Sequence, residues 1–181
     1  ILALLMLPLY TSWLSAEDFG TTDIITVYTT LLIGVVSCCI AEAIFVIPKG
    51  QDIAALKKYF TSGLYFLFVS TVIAGFVFWF AHCIFVYYSV VNSFSSNLLY
   101  IYSILVTGIL STYFQQFSRA IDKIAIYSIV GIVSSVTVAL FSIMLIPRYG
   151  VYGFVCATIL SYIVNVIYIT VAAKAYRYVD L

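Results

Sequence analysis

The chain has 181 residues, 65% of them hydrophobic and 8% charged, with a mean hydropathy of +1.18. Soluble domains carry roughly 25% charged residues, so this composition excludes a soluble globular class and points to an all-α, polytopic membrane helix bundle. Eight basic against seven acidic residues leave a formal charge of +1 without a basic cluster, which argues against a nucleic-acid partner.

Residues 1–14 (ILALLMLPLYTSWL) predict an apolar helix of only about 21 Å, against a hydrocarbon core of about 30 Å. The chain opens at Ile1 inside this apolar run without the basic flank of a signal peptide, so a truncated first span and a longer parent protein are expected. Pro8 is tolerated as a kink if neighbouring helices satisfy the freed carbonyl. Trp13 marks an interface, and residues 15–20 (SAEDFG) read as a short acidic loop.

The second span is expected over 24–47. Asp23, Thr26, Thr30, Gly34, Ser37 and Ala41 recur on one stripe at helical spacing, with Glu42 beside it. Residues 48–58 (PKGQDIAALKK) read as a polar connection carrying Lys49, Lys57 and Lys58. The third span, 59–86, lies in the longest apolar run, long enough to cross with tilt. Its Ser70, Thr71, Ala74 and Gly75 form two overlapping small-xxx-small pairs, which allow close backbone approach.

Residues 89–97 (SVVNSFSSN) read as an uncharged polar loop and 98–117 as the fourth span. That span ends in TYFQQFSRAIDKIAIY, where one helix stops and the next starts. Gly108, Thr112, Gln115 and Arg119 share a face there, unsuited to lipid. The fifth span is expected over 124–146, with Ser128, Gly131, Ser134 and Ser135 as its small face. PRYG at 147–150 is a tight turn, and the sixth span covers 151–173, with Gly153, Ala157, Ser161 and Asn165 recurring every four residues.

The whole of 1–181 thus reads as a single transmembrane lobe of about six helices. If the first helix runs outward, the inner segments hold Lys49, Lys57, Lys58, Arg119, Lys123, Lys174 and Arg177, and only Arg148 lies outside. This asymmetry predicts both ends of the segment on the cytoplasmic side. Cys38, Cys39, Cys83 and Cys156 lack zinc-ligand spacing and a disulfide framework, and act as small apolar residues.

Six residues are candidates for a substrate pathway. Glu42 is a carboxylate within a predicted span, by default a functional position, although it lies close enough to the cytoplasmic end to reach water. Asn165 is better centred, where an amide serves equally as glue between helices. Gln115, Gln116 and Arg119 have the chemistry to bind a phosphate or sugar, since a guanidinium presents parallel donors to phosphate oxygens. The structural alternative is a positive-inside anchor at Arg119 beside helix-capping amides. Asp23 completes the set through the second span's stripe. The polar faces of the second, fourth and sixth spans suggest a common polar cavity. No catalytic residue, cofactor or metal site is expected: His82 stands alone, and the longest loop offers only Asp52.

Several segments, LPLYTSWLSAEDFG, AEAIFVIP, KKYFTSGLYFL, QQFSRAIDKIAIYSIVGI and PRYGVYGFVCATILSYIVN, resemble in order the amino-terminal lobe of the polysaccharide flippases, the Wzx-type O-antigen transporters of the multidrug/oligosaccharidyl-lipid/polysaccharide exporter superfamily. The likeness lies in patterns of apolar, Tyr and Gly positions across nearly the whole chain. Members often place a basic residue just after the stretch matching Ala43–Phe45, where this chain has Val46, Ile47 and Pro48 before Lys49. The resemblance implies one lobe of a two-lobe exporter that rocks about a central cavity. It also implies a transporter in a bacterial inner membrane that flips undecaprenyl-diphosphate-linked oligosaccharide repeat units for O-antigen or capsule biosynthesis. Its partners would be the lipid-linked oligosaccharide, membrane lipid, and the polysaccharide polymerase and glycosyltransferases of the same pathway. The rival readings are a cation-coupled multidrug exporter of the same superfamily, which requires a deep acidic residue, and a non-catalytic polysaccharide-assembly membrane protein.

Overall fold

The computed structural model describes residues 2–46, 52–88 and 93–178. Every element among them is helical: α1 (Leu2–Trp13), α2 (Ala16–Ser37), α3 (Ile40–Val46), α4 (Ile53–Tyr87), α5 (Ser93–Ser96), α6 (Leu98–Ala120), α7 (Ile124–Ala172) and a terminal 3-10 turn (Ala175–Tyr178). Four of them, α2, α4, α6 and α7, are long and apolar enough to cross a membrane. The outward face of α4 is apolar and aromatic: Tyr65, Phe68, Phe76 and Trp79 are each about two-thirds exposed or more. The protein is an all-α, membrane-embedded bundle.

Local chemistry moves several expected boundaries. Residues 15–20 are not a loop. Ser15 is the N-cap of α2, its Oγ accepting from the Asp18 backbone N–H at 3.1 Å and donating to Asp18 Oδ2 at 2.8 Å. Glu17 and Asp18 therefore occupy the first turn, where carboxylates favour the positive end of the helix dipole. Lys57 and Lys58 likewise belong to the opening turns of α4, which starts at Ile53; residues 47–51, with Lys49, lie outside the described residues. Of the expected loop at 89–97, residues 93–96 form one helical turn and 89–92 lie outside the described residues.

The second span is broken rather than continuous. Cys38 and Cys39 both take left-handed backbone angles, φ 46° and 57°, which end α2 and restart the chain as α3. The carbonyl of Val36, freed by the break, accepts a bond from Ser70 Oγ of α4. On α4, Ser70 thus serves α2, while the Thr71 carbonyl accepts from Tyr102 Oη of α6 at 3.2 Å. The small residues of α4 mark its contact line.

At the other end of α6 a Schellman motif makes the reversal. Asp122 adopts φ 57°, its N–H bonds the Arg119 carbonyl at 3.1 Å, and the Lys123 N–H bonds the Ser118 carbonyl at 3.0 Å. Three residues then suffice to start α7, which is itself a hairpin: Gly150, at φ 54° and ψ −128°, interrupts 49 residues of otherwise helical chain just after Pro147. Nested contacts prove the reversal. Thr137 Oγ1 lies 3.0 Å from Ser161 Oγ, and Lys123 Nζ bonds the Ala173 carbonyl at 2.9 Å. A Cβ on Gly153 would strike the backbone of Leu145 and come within 2.9 Å of Ile146 N, so only glycine fits beside the first leg.

α6 is the axis. It packs against α2, α3, α4 and both α7 legs, and buries Ile101, Ile104, Leu105, Ile109, Tyr113 and Phe117. Because lipid is as apolar as a side chain, such contacts hold the bundle through close packing and interhelical hydrogen bonds rather than through water exclusion. The densest packing joins Phe60 of α4 to Tyr113 and Phe117 of α6, with ring centroids 5.6 and 4.1 Å apart.

Contacts also fix direction. Ile25 clusters with Ile101 and Ile104, and Ile33 lies against Gly108, so α2 runs parallel to α6. Phe60 meets Tyr113 while Phe78 meets Tyr102, so α4 is antiparallel to α6. Tyr10, near the end of α1, touches Ser142 and Phe154, at the level where α2 begins. The legs alternate up and down throughout. Lys57, Lys58, Arg119, Lys123, Lys174 and Arg177 thereby collect at one end of the bundle, whereas Glu17, Asp18, Asp23 and Arg148 lie toward the other.

Candidate functional site at the basic end of α6

Arg119 stands one residue from the end of α6, half-buried, where α3 and the start of α7 converge. Its guanidinium carbon lies 4.1 Å from the Phe45 ring centroid and 4.8 Å from that of Tyr127. Arg119 Nη1 donates to Gln116 Oε1 at 3.0 Å, one helical turn back. Each element contributes one part: the α2–α3 break swings Phe45 into place, α6 holds Arg119 and Gln116 three residues apart, and the Schellman reversal returns Tyr127 beside them.

Two aromatic contacts and one amide constrain the cation. A guanidinium has five N–H donors in its plane, and an aromatic ring attracts it through the face. The Gln116 bond uses one donor. Ring contacts use none of its hydrogens, so the remaining N–H donors lie along the guanidinium edge, the geometry that matches phosphate or carboxylate oxygens. These three contacts fix the orientation of the Arg119 guanidinium.

The other four sequence candidates lie in four different places. Gln115 is half-buried beside this cluster, its backbone carbonyl accepting from Ser118 Oγ at 2.7 Å. Asn165 is 3% exposed on the second leg of α7, and its Oδ1 has no hydrogen-bond partner among the described residues. Glu42 is exposed in the first turn of α3. It is not an intramembrane carboxylate in a continuous span, because the chain breaks at Cys38 and Cys39 before reaching it. Asp23 is exposed near the far end of α2, at the level of Ile101, about 27 Å along the α6 axis from Arg119. Only Arg119 and Gln116 are in direct contact.

The stripes point in different directions. On α2, Asp23, Thr26, Thr30 and Gly34 are exposed, whereas Thr22, Ile25 and Thr29 face the bundle. Thr26 and Thr30 donate to carbonyls one turn back, each at 2.8 Å. On α7, Gly153 and Ser161 press on the first leg of their own hairpin, Ser161 through Thr137 and the Ser134 carbonyl. Gly108 is closed over by Ile33 and Tyr162. These three faces do not enclose one cavity among the described residues. On the first leg, Ser128 and Gly131 are exposed, so that expected small face splits.

Phe45 and Tyr127 are not among the sequence candidates. Their signal was weak, since aromatics make up 18% of the chain and neither stands at a special spacing from Arg119. All four cysteines are free thiols, and no group of three His, Cys, Asp or Glu side chains able to hold a metal occurs among the described residues. Compared with protein families, curated proteins and solved structures, the chain has no match in any of the three.

Proposed function

We propose that the protein is part of a flippase that moves lipid-linked oligosaccharides, with an undecaprenyl-diphosphate carrier, from the cytoplasmic to the outer leaflet of a bacterial inner membrane. The observation that carries the reading is Arg119, oriented by Phe45, Tyr127 and Gln116 at the basic end of the bundle. Its guanidinium edge suits a diphosphate, and the neighbouring Gln115 amide suits a sugar hydroxyl or a phosphate oxygen. The basic end is the cytoplasmic one on the positive-inside rule, which puts Arg119 in the leaflet where such a substrate is assembled.

The exposed α2 stripe supports the same reading. Asp23, Thr26, Thr30 and Gly34 offer a polar strip running from the basic end toward the acidic end, alongside which a sugar chain can pass while the prenyl tail stays in lipid. In a two-lobe exporter this strip would face the opposite lobe. A cation-coupled drug exporter needs an acid held deep in the bundle, and among the described residues the buried polar side chains are Ser, Thr and Asn.

The test is accumulation. Deleting the gene should trap lipid-linked oligosaccharide on the cytoplasmic leaflet, and restoring the full-length protein should clear it. Unchanged polysaccharide export after deletion contradicts the proposal.

A further inference from the structure

We infer that the cleft between α3 and the opening turns of α4 is a binding site for an anionic phospholipid. It lies at the basic end, has a volume of about 170 Å³, and is walled by Ile40, Ala43 and Ile44 on one side and by Tyr59, Ser62 and Phe66 on the other. The cleft follows from the break at Cys38 and Cys39, which ends α2 and lets α3 start as a separate short helix against α4. Tyr113 fills the space beneath it: a Cβ on Gly63 would come within 2.9 Å of the Tyr113 ring.

The lining selects hydrocarbon. A lipid-facing void lined by Ile, Ala and Phe forfeits dispersion contacts if left empty and has too few polar partners to hold water. An acyl chain fits, and it can enter sideways because Phe66 is 39% and Tyr59 42% exposed on the outer surface of α4.

Charge selects the headgroup. Lys58, Ser62 and Phe66 follow one another at four-residue spacing, so Lys58 stands on the cleft's own line, one turn nearer the basic end, with Lys57 beside it. Side chains on a helix lean toward its N-terminus, and a lysine extends its ammonium to the interface while its stem covers apolar surface. A phosphate held there, with one acyl chain running down the cleft past Ser62, meets both lysines; an anionic lipid is preferred because a zwitterionic headgroup brings its own cation. The site does not involve Arg119 and is independent of what the protein transports.

The test places the full protein in nanodiscs of phosphatidylcholine with a minority of phosphatidylglycerol. Spin-labelled forms of both lipids report the motionally restricted fraction. Lys58→Gln should lower the preference for phosphatidylglycerol about fivefold. Ala43→Phe, which fills the cleft, should also lower it, and Ser62→Trp at an exposed position does the same if Ala43→Phe fails to fold. Arg148→Gln, at the opposite end, should leave it unchanged. A preference that survives either the charge change or the cleft filling, or that falls equally in Arg148→Gln, overturns the site.

Discussion

Tyr113 Oη donates to the Phe60 carbonyl at 2.8 Å, joining two antiparallel helices 53 residues apart in sequence at a point where both residues are fully buried. Replacing Tyr113 by Phe keeps the ring stack and removes only this bond, so a loss of about 1 kcal/mol is expected. Tyr113→Ala removes the ring as well and should cost about 3 kcal/mol or more. Thermal unfolding in detergent, scored by loss of helical signal, distinguishes the two. Equal melting temperatures for Tyr113→Phe and Tyr113→Ala would show that the α4–α6 contact is not built on this ring.

Backbone conformation gives a prediction of opposite sign at two reversals. Gly150 sits at φ 54° and ψ −128°, where a side chain is strained, so Gly150→Ala should destabilise by about 1–3 kcal/mol. Asp122, at φ 57° in the Schellman position, is a residue where glycine is preferred, so Asp122→Gly should raise the melting temperature. Two changes in the same direction would mean that these turns do not govern hairpin stability.

Topology is tested by access. In a variant lacking Cys38, Cys39, Cys83 and Cys156, a single cysteine at position 148 should react with a membrane-impermeant maleimide added outside, and one at position 122 only after permeabilisation. Both sites are exposed. Reaction in the reverse order would invert the orientation on which the substrate leaflet depends.

Much of the architecture was legible because periodicity and turn chemistry agreed. The fourth span, its reversal at Asp122 and the PRYG turn lie close to where composition puts them, since Gly150 and the polar run around Arg119 are strong local punctuation. Other features had no such signal. Glu17 and Asp18 look like loop residues until Ser15 is recognised as a cap. The break at Cys38 and Cys39 is invisible in composition, because cysteine has no preference for left-handed angles and the Ser70 bond that satisfies Val36 comes from another helix. The stripes were visible as stripes, but their partners were not. Ser161 meets Thr137 while Thr30 faces outward, and a helical wheel contains no information on which neighbour lies opposite. Arg119 was a candidate on its chemistry alone, whereas the Phe45 and Tyr127 rings around it depend on the α3 break and the α6–α7 reversal.

Binding measurements decide whether Arg119 is an oriented receptor for a lipid diphosphate. With the full-length protein in nanodiscs, affinity for undecaprenyl diphosphate is measured against undecaprenol. Arg119→Gln should weaken diphosphate binding at least about tenfold, the scale of one charge-assisted hydrogen bond, and leave undecaprenol binding unchanged. Arg119→Lys should recover only part of the loss, because an ammonium keeps the charge without the planar fork. Undiminished diphosphate affinity in a folded Arg119→Gln protein would rule out this receptor and leave Arg119 as a packing and orientation anchor.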